Sequence, residues 1–85
     1  MLDKVQADPE QAEQGEQWEA KVKNVLKAEL KRRGVSYKEL SNRLAGIGVH
    51  ETEPNIRNKL ARGRFTAVFL VQVLTAVGAR ELRLD

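Results

Sequence analysis

Residues 34–65 read GVSYKELSNRLAGIGVHETEPNIRNKLARGRF, and this stretch states where one helix begins and where the next begins and ends. Ser36 and Glu39 stand in capping-box relation: the serine oxygen takes up the amide three residues on, and the glutamate reaches back. Val35 and Leu40 supply the hydrophobic staple beside them. Tyr37, Leu40 and Leu44 then form a buried face, with Ile47 at its margin, until Gly46-Ile47-Gly48 ends the helix. Val49-His50-Glu51 reads as a turn. After it Thr52 or Glu53 caps a third helix, with Pro54 in the first turn, where a missing amide costs least. Ile56 and Leu60, four apart, point inward, and the helix stops at Gly63 within the basic group Arg62-Gly63-Arg64.

The residues before Gly34 show one apolar stripe. Trp18, Val22, Val25, Leu26 and Leu30 recur at spacings of three and four, so a first helix from about Trp18 faces a core with all five. Lys21, Lys23, Lys27, Lys31, Arg32 and Arg33 fall on its other side, and Gly34 occupies a usual helix-ending position. After Arg64, Thr66 caps a fourth helix, with Phe65 and Leu70 repeating the staple. Its Val68, Phe69, Val71, Val73, Leu74 and Val77 make it apolar nearly all round, the pattern of a central core helix. Gly78 closes it. In the tail, residues 79–85, Leu82 and Leu84 alternate with charges as a short strand does.

The first sixteen residues, MLDKVQADPEQAEQGE, hold few large apolar side chains to offset the entropy of ordering them, and read as a flexible polar arm. The expected organisation is thus an arm over 1–16 and one all-α, four-helix domain over 17–85 with a short extended C-terminal tail. At 85 residues the chain has room for a single modest core. No cysteine is present, which excludes disulfides, thiolate catalysis and cysteine-based zinc sites. No apolar run is long enough to span a bilayer and the start lacks the layout of a secretion signal, so a cytoplasmic location without membrane attachment is expected.

Charge is unevenly placed. The net +3 divides into an arm with five acids against one lysine, and a remainder with fourteen Lys/Arg against seven acids. A distinctly basic domain points toward a polyanion, nucleic acid first. On the third helix the direction opposite Ile56 and Leu60 is occupied by Asn58, with Asn55, Arg62 and Pro54 within about 60° of it at 100° per residue. An amide can bond an adenine edge bidentately and a guanidinium a guanine edge. Asn55, Asn58 and Arg62 are therefore the candidate base-contacting residues. Arg57, Lys59 and Arg64, together with Lys38 and Arg43 of the second helix and the lysines of the first, are candidates for phosphate.

The segment from GVSYKELSNRL through PNIRNKLARGRF to the apolar helix ending AVG resembles lambda-repressor-like, Xre-type helix-turn-helix domains. The longer string W…LKAELKRRGVSYKEL…NIRNKLARGRF is similar to small bacterial proteins classed only as a domain of unknown function. The broader resemblance implies that the helix before Arg62-Gly63 enters a DNA major groove while its neighbours hold it, in a sequence-specific transcriptional regulator without enzymatic activity or cofactor. One departure stands out: from Leu40 to Ile56 the chain is about five residues longer than in a compact helix-turn-helix. Such a module covers a short site, so a homodimer is expected, with Leu82 and Leu84 or the Trp18 end as contacts. Two alternatives stay open: an adaptor that keeps the fold but turns its third helix toward a protein partner, and the antitoxin of a toxin–antitoxin pair.

Other chemistry is poorly supported. His50, Glu51 and Glu53 lack a second histidine or a cysteine to make a zinc ligand set. Ser36 and Ser41 are accounted for by capping and exposure, and no glycine-flanked nucleophile occurs. Gly46, Gly48 and Gly63 do not follow strands, so no phosphate-cradling loop is indicated. Trp18, lying in the apolar stripe, is expected to pack in the core.

Overall fold

A hydroxyl takes up a free amide at the start of each of the three short helices. In the computed structural model, which describes residues 9–85 and side chains from residue 15 onward, the helices are α1 (Pro9–Arg33), α2 (Tyr37–Gly46), α3 (Glu53–Arg62) and α4 (Ala67–Ala76). Ser36 Oγ accepts from Glu39 N at 3.1 Å, Thr52 Oγ1 from Asn55 N at 3.2 Å and Thr66 Oγ1 from Phe69 N at 3.0 Å. Each bond satisfies one of the amides a helix start leaves unpaired. The expected capping box is half made: the Glu39 carboxylate turns instead to Arg43, 2.8 Å away, because the i,i+4 guanidinium offers a charged partner on the same face.

At their C-termini α1, α2 and α4 close alike. Val35 N, Val49 N and Ala79 N bond back to the carbonyls of Leu30, Leu44 and Leu74, each across a glycine of positive φ, the six-to-one bond of a Schellman motif. α3 closes by the shorter five-to-one bond, Gly63 N to Lys59 O at 3.1 Å.

The core consists of Leu26 and Leu30 from α1, Val35, Leu40 and Leu44 from the α2 region, Ile56 and Leu60 from α3, and Phe69, Val73 and Val77 from the α4 region. α3 packs on both α1 and α2, and α2 packs on α4. Leu26, Leu40, Leu44, Ile56, Leu60 and Val73 are fully buried, each contributing about 1.5–3 kcal/mol. Phe65 meets Phe69 edge to face with centroids 5.4 Å apart. One charge lies among these residues. Glu29 is buried, held by Arg32 and, at 2.6 Å, by Arg33, whose guanidinium also donates to the Val77 carbonyl at 3.0 Å. The hydrogen bonds from Arg33 and then Arg32 hold the Glu29 carboxyl below its ordinary range despite the opposing effect of burial.

Five expectations are corrected. The first helix starts at Pro9 rather than near Trp18, so residues 9–16 of the expected arm are helical; proline suits a first helical turn, and the Glu, Gln and Ala that follow are good helix formers. Residues 1–8 of that arm lie outside the described residues. Trp18 is 67% exposed and Val22 36%, so the apolar stripe of α1 is covered only from Val25 onward. α4 is not surrounded: Val68 and Val71 are 64% and 59% exposed, because its neighbours lie on one side of it. Ile47 is 45% exposed, since it falls in the turn closing α2. The tail after Gly78 forms no strand among the described residues, having no second strand to pair with. No helix among them is long and apolar enough to cross a membrane.

Candidate nucleic-acid interface

α3 is a short helix clamped at both ends. Thr52 caps its start, Pro54 fills the first turn and Gly63 ends it with φ of 66°. Ile56 and Leu60 are fully buried, so helical periodicity turns Asn55, Asn58 and Arg62 outward, and all three are exposed. The C-terminal end is fixed by a close approach to α1: a Cβ on Gly63 would lie 2.2 Å from the Glu19 carbonyl oxygen. The absence of a side chain there lets two helix backbones meet.

Five of the candidate residues gather around one concavity, lined by Asn55, Asn58, Lys59, Arg62 and Arg64. A neighbouring hollow, lined by Glu19, Arg62 and Arg64, continues it toward α1. The lining offers amide donors and acceptors, one ammonium and two guanidinium groups, with no hydroxyl, thiol or imidazole. Such a surface recognises by hydrogen bonds and charge.

Several of these cations have intramolecular partners. Arg64 bonds Glu19 at 2.6 Å across 45 residues of sequence. Lys59 is paired with Glu51 at 2.5 Å and sets its ammonium 4.5 Å from the centre of the Phe69 ring. Arg57, away from the concavity, pairs with Glu53 at 2.8 Å and lies over the Tyr37 ring. On α2, Arg43 pairs with Glu39, and Lys38 is exposed. The Arg43, Arg57 and Arg64 pairs are exposed or half-exposed, of the kind that contributes about 0–1 kcal/mol, whereas in the Lys59 pair the Glu51 side chain is only 15% exposed.

Sequence reasoning found the α3 residues and missed Glu19 and Glu51. Glu51 sits directly before the cap, and its carbonyl also accepts from Ser41 Oγ at 2.6 Å. No sequence signal pairs Glu19 with Arg64, since the contact depends on where α1 crosses the end of α3. His50 is exposed, and no group of three His, Cys, Asp or Glu side chains suited to a metal occurs among the described residues.

The family model described as Domain of unknown function (DUF6471) matches residues 18–82, from Trp18 on α1 through the whole of α2, α3 and α4 into the tail. No curated protein and no solved structure matches the chain.

Proposed function

We propose a DNA-binding role for this chain, which belongs to the family described as Domain of unknown function (DUF6471). α3 enters the major groove in the manner of a helix-turn-helix recognition helix: Asn55 and Asn58 bond adenine edges and Arg62 a guanine edge, while Arg64, Lys59, Arg57, Lys38 and Arg43 reach phosphates. The module is a transcriptional regulator that performs no catalysis and needs no cofactor, acting on the nucleoid in the cytoplasm. One observation carries the reading. The exposed side of α3 places two amides and a guanidinium beside two further cations around a single concavity, in a segment whose sequence is distinctly basic.

A protein-interaction adaptor is the second reading, favoured by Trp18, which stands 67% exposed above a small crevice lined also by Gln17 and Lys21. Binding to pooled random duplexes across a salt series separates the two. DNA binding weakens steeply with salt, and Arg64→Ala or Lys38→Ala shallows the log–log slope by about 0.9 each. Asn58→Ala or Arg62→Ala flattens the preference among selected sequences, each good base contact being worth roughly 1–3 kcal/mol. Absence of salt-dependent binding at about 50–100 mM, where phosphate contacts are strong, refutes the DNA reading.

A further inference from the structure

We propose that the outward face of α4 is a self-association surface, on which two copies of this chain pair with their α4 helices antiparallel about a two-fold axis near Val71. The buried stripe of α4 is Phe69, Val73 and, just past its end, Val77. On the opposite side stand Val68, 64% exposed, and Val71, 59% exposed, followed by exposed Thr75. These three sit at i, i+3 and i+7, the spacing that keeps one seam in line along two turns of a paired helix. β-branched side chains lose little rotamer freedom on packing, so such a seam is inexpensive to order.

Charge identifies the occupant. A two-fold interface sets a patch against itself, so any net charge in it is met by the same charge. The chain is 32% charged, yet residues 65–79 contain no Asp, Glu, Lys or Arg. Ile47, 45% exposed, also lies in an uncharged run, but it stands alone between two glycines in the turn closing α2 and offers no helical seam; the remaining exposed apolar residues lie among charges. Trp18 and Val22 are interleaved with Lys21 and Lys23, and Leu84 lies between Arg83 and Asp85. Among these, the α4 face alone presents an apolar seam two turns long that can meet its own copy without bringing like charges together. A neutral patch also has nothing to attract a charged partner. Antiparallel pairing opposes the two helix dipoles favourably and sets each Val68 toward the other copy's Thr75, with Val71 facing Val71.

Two ten-residue helices bury less than the 1,200–2,000 Å² of a standard stable interface, so the pairing is weak, with Kd on the order of 10–1,000 μM. It does not depend on the DNA reading and is tested without DNA. Because the chain has no cysteine, any disulfide formed by a single-cysteine variant joins two copies. Val71→Cys, mildly oxidised, is expected to become mainly covalent dimer, while Lys21→Cys, beside Trp18, does not. In sedimentation from about 10 μM to 1 mM the wild type shifts toward twice the monomer mass, and Val71→Glu stays monomeric with an unchanged helical spectrum, the position being on the surface. The proposal is overturned if the wild type remains monomeric at about 1 mM, if Val71→Glu associates as the wild type does, or if cross-linking at 21 equals that at 71. Self-association that emerges only after deletion of residues 1–8 also overturns it, since the chain's own N-terminal segment then covers the face.

Discussion

Substituting Gly63 by alanine tests how the candidate interface is hung on the rest of the molecule, and the structure gives the cost in two parts. The first is conformational: Gly63 has φ of 66°, where alanine is about 1 kcal/mol less favourable than glycine. The second is steric. The new Cβ falls 2.2 Å from the Glu19 carbonyl oxygen and 2.8 Å from its carbon, against an ordinary contact of 3.4–4 Å. Both atoms belong to backbone inside α1, so relief requires the helices to part by about 1 Å, an overpacking cost of about 1–3 kcal/mol. Together these come to about 2–4 kcal/mol.

Gly34→Ala isolates the first part, because its φ of 67° is nearly the same and nothing lies within 4 Å of the added Cβ. In a domain of this size about 1 kcal/mol lowers Tm by roughly 4–8 °C. Thermal and urea unfolding should therefore place Gly34→Ala within that range of the wild type and Gly63→Ala two to four times further down, with m unchanged. Equal losses for the two variants, within about 0.5 kcal/mol, refute the close α1–α3 approach. Arg62 and Arg64 flank Gly63, so under the proposed DNA-binding role affinity for duplex should fall in Gly63→Ala even below its melting temperature and stay near wild type in Gly34→Ala.

Glu29 gives stability a pH dependence of definite sign. Its carboxyl is held below the ordinary 4.5 in the folded chain, so its contribution is fully present above about pH 4.5 and is lost as pH falls through the lowered value; Glu29→Gln should lower Tm near pH 7 and flatten the acid limb of a Tm–pH series. Glu19→Gln and Glu51→Gln remove the internal partners of Arg64 and Lys59, and each is expected to tighten binding to duplex DNA by about two- to fivefold at low salt, an effect of up to about 1 kcal/mol; unchanged affinity would mean that neither cation meets phosphate. Trp18→Ala is expected to change the unfolding free energy by under about 1 kcal/mol, against the 3–5 kcal/mol of a core tryptophan, as chemical denaturation will show.

The local signals were legible because they act over three or four residues. Ser36, Thr52 and Thr66 cap as their neighbours in sequence require, and Leu40, Leu44, Ile56 and Leu60 are buried as their periodicity requires. The failures share a cause. Periodicity names the face of a helix that seeks cover but not how far the cover extends. α1 has 25 residues, and α3, the helix packed on it, has ten, about 38 Å against about 15 Å. The apolar stripe loses its cover before Val25, although the end of α3 still touches the α1 backbone at Glu19, and Trp18 lies beyond both points. α4 shows the same limit sideways, with apolar residues all round but neighbours on one side. Glu29 was invisible for a different reason: its arginine partners three and four residues on look like an ordinary solvated face until Val77 is known to accept from Arg33.

The long connection between α2 and α3 was the feature least like a compact helix-turn-helix, and in the structure it is closed onto both helices. The Leu44 carbonyl accepts from both Ile47 and Val49, so the first residues after α2 fold back on its last turn. Ser41 then takes the Glu51 carbonyl at 2.6 Å, and the Glu51 carboxylate reaches forward to Lys59 on α3. The segment is thereby tied to α2 by backbone and hydroxyl and to α3 by charge. It does not act as a spacer. What fixes α3 against α2 is the burial of Leu40 and Leu44 together with Ile56 and Leu60, a contact set by side-chain volume and not by loop length. A connection closed in this way leaves the outward face of α3 to be determined by the core, and the orientation of Asn55, Asn58 and Arg62 follows from those four aliphatic side chains.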